Sequence, residues 1–464
     1  MSTAAVATAT REIAHSMTVQ MIRTKAEAGY IEQFEGLESE LPGSPAVRKS
    51  RREALGRFAT LGLPHRRIEE WKYTDLRALL KEAAAPHPAG ASSVRTPDID
   101  AALGALAGCE AYRLTFVDGR FALSLSDVER LPGALRFKPL SDALLEASGW
   151  PVDVIADEAA GNGVAALNTA FMTDGATLRI DADTALDKPL LIVFVRASAT
   201  PCAVTSRTYV DFGPRAEGVL VEAHIALPGA ANSSQSNTMT CLAAGEAAEV
   251  AYVRLCEEAQ HGLHVANLEA RLGAKAVFRP FLMTVGEGMV RHDLNVTFSG
   301  EHATLDLGGL ALGSGGAHSD LSMLIDHAVR HCTSRELFKA VLAGESKGVF
   351  QGRVIVRPGA QKTDGKQMAQ ALMLSPQAEF DSKPELEIYA DDVICGHGST
   401  AAELDEDLLF YCRSRGIPRE EARALLIESF IGEAIDKVGH EGLREALSAR
   451  ANSWLRAGSV AGSV

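Results

Sequence analysis

A cysteine and a histidine lie two residues apart near the C-terminal end of this 464-residue chain, at Cys395 and His397. They belong to an apolar, β-branched run, which favours a strand. Because side chains alternate across a strand, the thiol and the imidazole would project from one face, with their α-carbons roughly 6 to 7 Å apart. Both groups are ligands of soft or borderline metals. Gly396 and Gly398 leave the imidazole without bulky neighbours.

The pair alone does not complete a metal site. A tetrahedral site needs four ligands, and the sequence has neither a CxxC pair nor an HExxH motif to supply the others. A cysteine in a strand is more often a small buried hydrophobic residue, and a single histidine is more often a surface or core residue. The spacing therefore leaves two interpretations: a structural pair, or part of a site that another chain completes.

The strand that carries the pair belongs to a long β-rich region. From about residue 176, short apolar runs are closed by Gly, Pro, Asn or Ser, which is typical of successive strands. Gly245, Gly273 and Gly300 each open a turn before such a run, and the two intervals between them are nearly equal. A repeat of ~20 to 30 residues favours a β-helix, in which each coil buries its apolar face against the next. A β-sandwich is the alternative, although its strands need no repeat of this length.

Helical patterns flank the β-rich region and divide the chain into residues 1–172, 173–404 and 405–464. In the last part, Pro418 can begin a helix with a wide apolar arc. Such an arc must cover two surfaces, of which one could be the chain's own last helix and the other a partner protein. The arc consists of Ala422, Leu426, Phe430, Ala434 and Val438, with Ile427, Ile431 and Ile435 about 100° round the helix.

Charge and cysteine content narrow the functional class. The formal net charge of −14 opposes binding to nucleic acid or to an anionic membrane, because both need clustered Lys and Arg. The seven cysteines are scattered and lack the spacing typical of a small disulfide-bonded domain. This favours a reducing compartment, so we expect a cytoplasmic protein. The first residues turn polar before a signal-peptide core could form, and no run of ~18 apolar residues occurs. We expect neither export nor membrane insertion.

Several enzyme motifs are missing from the sequence. There is no GxxxxGK[ST] phosphate loop, no GxGxxG opening a helix after a strand, and no GxSxG elbow. We therefore expect no ATP site in the chain itself, and dinucleotide and α/β-hydrolase chemistry are disfavoured.

Six segments between residues 334 and 426 together resemble the SufB/SufD family of iron-sulfur cluster assembly proteins. They are residues 334–339, 348–352, 361–365, 383–388, 395–400 and 409–417. A weaker match at residues 69–76 is similar to the tryptophan signature of SufD-type members and extends the resemblance over most of the chain. The SufB branch usually has acidic residues beside the histidine that corresponds to His397, whereas this chain has Gly396 and Gly398. The resemblance therefore favours the SufD type.

The resemblance implies a mainly β protein: a right-handed parallel β-helix between an N-terminal and a C-terminal helical domain. It implies a non-catalytic subunit that pairs with a SufB-type paralogue, in a complex of one SufB, one SufD and two SufC subunits. His397, and more weakly Cys395, would bind iron or a transient iron-sulfur cluster shared with the paralogue where the two β-helices meet. The C-terminal domain would dock the SufC-type ATPase, with Leu426, Ile427, Phe430 and Ile431 as candidate contacts.

Two other functions are compatible with the sequence. The chain could be the SufB-type scaffold that holds the cluster itself. From a different class, it could be a β-helix enzyme acting on polysaccharide, although such enzymes are usually exported and line a groove with carboxylates or basic residues. A homodimer of the isolated chain and a reduced flavin in the complex both remain open.

Overall fold

Strands of about ten residues dominate the computed structural model, which describes residues 23–87, 93–157 and 162–459. The first 22 residues, for which the sequence predicts no signal peptide, lie outside this part. In chain order the strands are β1 (Tyr112–Val117), β2 (Arg120–Phe121), β3 (Leu135–Pro139), β4 (Ala176–Ile180), β5 (Leu190–Arg196), β6 (Ala203–Phe212), β7 (Glu217–Ala226), β8 (Gln235–Ala244), β9 (Glu249–Glu258), β10 (Leu263–Leu272), β11 (Val277–Gly286), β12 (Met289–Phe298), β13 (Thr304–Gly313), β14 (His318–His327), β15 (Thr333–Leu342), β16 (Lys347–Val356), β17 (Asp364–Met373), β18 (Glu379–Ile388) and β19 (Ile394–Ala402).

Successive strands from β4 onward fall alternately into two sheets. One sheet has the order β19-β17-β15-β13-β11-β9-β7-β5-β1-β2, and the other has the order β18-β16-β14-β12-β10-β8-β6-β4-β3. Neighbouring strands are parallel except for β1 with β2 and β3 with β4. A chain that changes sheet with every strand and returns in parallel is a β-helix, which confirms that prediction against the sandwich. The first three strands extend both sheets into the segment before residue 173.

The interval between the repeating glycines is the length of one coil. Glu249 pairs with Val277 in the next coil, and Val277 pairs with Thr304 in the coil after that. These two steps along the chain equal the two intervals between the glycines. The glycines lie where the turns of successive coils stack backbone against backbone. A Cβ on Gly300 would lie 2.0 Å from the amide nitrogen of Ala274 in the preceding turn, so only glycine fits there.

The core lies between the two sheets, where inward side chains of successive coils stack in columns. Most of these are aliphatic or aromatic, as in the column of Val250, Phe278 and Leu305 on β9, β11 and β13. A second apolar layer lies on the outer face of the ten-stranded sheet and is covered by the C-terminal helices. The interior also encloses two polar zones, one deep among β7–β10 and one at the β19 end, and these zones carry the chemistry considered below.

Helices lie before and after the strands. Ser44 caps the second of them through the amide of Val47, and Pro45 follows at its first position, where a missing N–H costs nothing. The helix Arg419–Ile435 begins directly after Pro418 and packs on the outer face of β13 and β15. In order, the α-helices are Lys25–Leu37, Pro45–Leu61, Leu76–Leu79, Thr96–Leu103, Leu140–Ala143, Val152–Asp157, Gly163–Phe171, Glu406–Ser414, Arg419–Ile435 and Glu441–Trp454.

Candidate functional site

The Cys395 and His397 pair lies on β19, the terminal strand of the ten-stranded sheet. β19 runs parallel to β17, with Cys395 opposite Gly365 and His397 opposite Gln367. Strand alternation places both side chains on the face that continues the interior of the β-helix. Cys395 is partly buried against the core, and its Sγ lies 3.7 Å from the point that a Cβ on Gly365 would occupy. The glycine of the preceding coil therefore leaves room for the thiol.

His397 ends a column of polar residues that begins inside the β-helix. Glu336 on β15 pairs with Gln367 on β17, and Gln367 pairs with His397 on β19. Glu336 and Gln367 are only 3% and 2% exposed, whereas His397 is exposed because no described coil follows it. The side-chain amide of Gln367 donates to the carbonyl oxygen of Glu385 at 3.1 Å, which ties the column to β18. Polar groups thus lead from the buried interior to the open end.

Burial controls the protonation of this column. Desolvation raises the pKa of Glu336 to about 8, so its carboxyl group is mostly protonated at neutral pH. Desolvation also raises the pKa of the Cys395 thiol, and the nearby carboxylate of Asp364 raises it further. A protonated thiol is a poor nucleophile, and a metal must displace its proton in order to bind. A metal would therefore reach the exposed imidazole of His397 more readily than the Cys395 thiol, and two side chains alone would not complete a tetrahedral site.

Family comparisons cover both the β-helix and the region before it. A model described as "SUF system FeS cluster assembly, SufBD core domain" matches residues 194–430, and one described as "SufBD protein N-terminal region" matches residues 24–192. An iron-sulfur cluster assembly SufBD family protein of Synechocystis is 31% identical over 397 residues, which are 84% of this chain and 86% of the relative. The chain belongs to the SufBD family of iron-sulfur cluster assembly proteins.

Two SufD proteins match at lower identity. The iron-sulfur cluster assembly protein SufD of Escherichia coli is 28% identical, over 87% of this chain and 92% of its own length. SufD of Bacillus subtilis is 26% identical over 61% of this chain and 64% of its own length. These matches confirm the family resemblance seen in the sequence motifs. In the described ranges, no helix is both long and apolar enough to cross a lipid bilayer.

The tryptophan segment of this SufBD protein, residues 69–76, has a packing role. Trp71 is 1% exposed, and the guanidinium carbon of Arg291 lies 3.9 Å from the centre of its ring. Arg291 also donates to Asp320 at 2.6 Å, and the Thr74 hydroxyl contacts both Asp320 and His318. The segment therefore fastens the N-terminal region to the outer face of the nine-stranded sheet.

The structure revises the set of docking candidates. Ile427 and Ile431 are buried against the outer face of the ten-stranded sheet, so the second surface of the apolar arc is the chain's own β-helix rather than a partner. Phe430 is partly buried, with the Lys339 ammonium 4.1 Å from its ring centre, and Leu426 is half-buried. The periodicity of apolar residues in a helix predicts how wide its apolar face is. It does not show whether that face packs against the same chain or against a partner protein.

Sequence reasoning missed a buried polar group among β7, β9 and β10. Side chains of His224, Cys256 and His264 meet there, between the two sheets. Their sequence separations carry no motif, because they come from three strands and two sheets. The available signal was the appearance of charged and polar residues at alternate positions of strands that are otherwise apolar, as at Arg254 and Glu258 beside Cys256.

Proposed function

We propose that this chain is the SufD-type subunit of a SufBCD-like iron-sulfur assembly complex in the cytoplasm. In that role it is a non-catalytic scaffold that pairs with a SufB-type paralogue, docks a SufC-type ATPase and supports iron acquisition and cluster assembly. The observation that carries the proposal is the open end of the β-helix, where a thiol and an imidazole lie on a terminal strand that is paired on one side only.

The open end of the β-helix, formed by β18 and β19, is suited to pairing with another protein chain. β18 and β19 are the last strands of their sheets, and within the described residues no strand pairs with their outer edges. Nearly every residue of these two strands is at least partly exposed, in contrast to the buried strands before them. An exposed strand edge invites pairing with another chain unless it is covered. A second β-helix of the same family would continue both sheets and shield the ligands from water.

The ligands at this end form half of a site. His397 supplies an exposed imidazole and Cys395 a partly buried thiol, so a paralogue must contribute the remaining ligands to iron or to the nascent cluster. Here the cluster is cargo that is assembled and passed on. No atom lies within 4 Å of a Cβ built on Gly396, so a larger residue would fit there. A glycine at this position agrees with the SufD type, because the SufB branch usually has acidic residues beside the corresponding histidine.

The ATPase would dock on the exposed part of the C-terminal helices. Four large apolar side chains remain uncovered there, and we name them the docking patch: Leu408, Phe410, Tyr411 and Leu425, which are 49%, 71%, 55% and 45% exposed. The patch replaces Ile427 and Ile431 as candidate contacts. Because the helix Arg419–Ile435 packs on β13 and β15, movement of a docked ATPase would be transmitted to the coils that lead to β19.

Anaerobic co-expression with the paralogue and the ATPase tests the proposal. We expect one ternary complex that carries iron, whereas a chain that elutes alone would contradict the assignment. Phe410→Asp with Leu425→Asp should release the ATPase and keep the paralogue, because neither side chain lies on β18 or β19, whose edges would meet the paralogue. Leu123→Asp, at a side chain that is 64% exposed in the N-terminal region, is the matched control and should release neither. A stable cluster reconstituted on the isolated chain would favour the SufB-type scaffold instead.

A further inference from the structure

The buried group at His224, Cys256 and His264 has the composition of a metal site. Their candidate ligand atoms all lie within 4.8 Å of one another, and all three side chains are buried. His224 on β7 and Cys256 on β9 are direct partners on neighbouring parallel strands, and His264 faces them from β10 in the other sheet. The group is separated from β19 by four intervening strands of the ten-stranded sheet, β11 to β17, so it is distinct from the open end.

Each imidazole keeps a nitrogen free for a ligand. The Thr238 hydroxyl bonds Nε2 of His264 at 2.8 Å, which fixes the ring and leaves Nδ1 without a hydrogen-bond partner among the described residues. A hydroxyl or carbonyl on the second nitrogen is the usual support of a metal-bound histidine. Nε2 of His224 lies 3.8 Å from the nearer carboxylate oxygen of Glu222, which is too long for a hydrogen bond.

Glu258 offers a fourth ligand. Its Oε2 forms an ion pair with Arg196 at 2.8 Å, while its Oε1 lies 3.6 Å from Nδ1 of His264. That distance is longer than a hydrogen bond and close to the separation of about 3.4 Å between two ligands of one tetrahedral ion with bonds of about 2.1 Å. This distance relates Glu258 to His264 alone. The ligand atoms that lie within 4.8 Å of one another belong to His224, Cys256 and His264, so the carboxylate must move towards the other two side chains in order to join them.

A cavity lies against part of this buried group. A cavity of about 300 Å³ is lined by Arg196, His224 and Glu258. It shares Val204 and Ser236 with a larger cavity of about 770 Å³ between the N-terminal helices and the β-helix. Of the three grouped side chains, only His224 lines the smaller cavity, so an ion there would lie beside its imidazole and the Glu258 carboxylate.

We propose that His224, Cys256 and His264 bind a borderline divalent cation of the zinc type, and that the neighbouring carboxylate of Glu258 is drawn in as the fourth ligand of a tetrahedral site. Binding releases the thiol proton of Cys256 to solvent and leaves a thiolate on the ion. All four positions are filled by protein, so the ion joins the two sheets as a structural link rather than as a reaction centre. The site is independent of the function proposed for the open end.

Cobalt titration of the full chain tests the site. Cys395→Ala with His397→Ala gives a background in which the open end cannot contribute ligands. In this background, after treatment with a chelator, we expect about one Co²⁺ per chain, with the visible bands of tetrahedral cobalt and a near-ultraviolet thiolate-to-cobalt band. Cys256→Ser should abolish the thiolate band, and Thr238→Val should weaken Co²⁺ binding about 10- to 100-fold by releasing the His264 ring. Cys332→Ser, at another buried cysteine, is the matched control and should leave the spectrum unchanged.

Two results would overturn the site. One is bound Co²⁺ without a thiolate band in the background chain, and the other is a thiolate band that survives Cys256→Ser. Should the Cys256 variant not fold, X-ray absorption of the zinc-loaded background chain decides the matter. One sulfur with three nitrogen or oxygen neighbours supports the site, and a shell without sulfur contradicts it.

Discussion

Glu336→Gln should make this protein more stable, and increasingly so as the pH rises. Burial raises the pKa of Glu336 from its ordinary value of 4.5 to about 8 in the folded chain. Between these values the folded state holds a proton that the unfolded state has lost, so each pH unit removes about 1.4 kcal/mol of stability. Over 3.5 units the loss is about 5 kcal/mol, complete above pH 8. Glutamine keeps the shape, cannot ionise and avoids this loss.

Urea unfolding, followed by the circular dichroism of the sheets, measures the effect. The stability difference between Glu336→Gln and the original chain should grow by about 3 kcal/mol from pH 5 to pH 7.5. Glu345→Gln, at an exposed glutamate on a turn of the same β-helix, is the control and should show no such growth. A difference for Glu336→Gln that does not change with pH would refute the assignment of a buried, protonated carboxyl group in the column below His397.

Two further substitutions test how the fold is held. Gly300→Ala should cost about 3 kcal/mol or more in thermal unfolding, because its Cβ would overlap the backbone of the preceding coil, whereas Gly316→Ala has no atom within 4 Å and should be tolerated. Arg291→Met should cost about 3 to 5 kcal/mol and make the N-terminal region sensitive to protease, because it leaves Asp320 buried without its cation. Arg279→Met, at an exposed ion pair, should change stability by less than about 1 kcal/mol.

The β-helix could be predicted because its coils repeat at a nearly regular interval along the sequence. A glycine that recurs once per coil marks the turn, because stacked turns bring backbone against backbone at positions such as Gly300. Strand alternation then assigns each residue to the inside or the outside, and it places Cys395 and His397 on one face. The resemblance of the six sequence segments to the SufB/SufD family then favoured the β-helix over the β-sandwich.

The sequence did not predict which side chains of different strands and helices come into contact. Alternation shows that His264 faces inward, but it does not show that His224 and Cys256 lie opposite, because that depends on the stagger of two sheets. Periodicity likewise predicts the apolar arc of the last long helix but does not reveal that Ile427 and Ile431 cover β13 and β15. Both sets of contacts depend on how strands and helices that are distant in the sequence pack against one another.

Iron bound by the co-expressed complex is the most direct measure of the role proposed for the open end. His397→Ala should leave assembly with the paralogue and the ATPase intact, because the substitution removes one exposed side chain, and it should lower the iron bound per complex. His331→Ala, at an exposed histidine on a turn of the same β-helix, should leave both quantities unchanged. Normal iron loading of an intact His397→Ala complex would contradict the account.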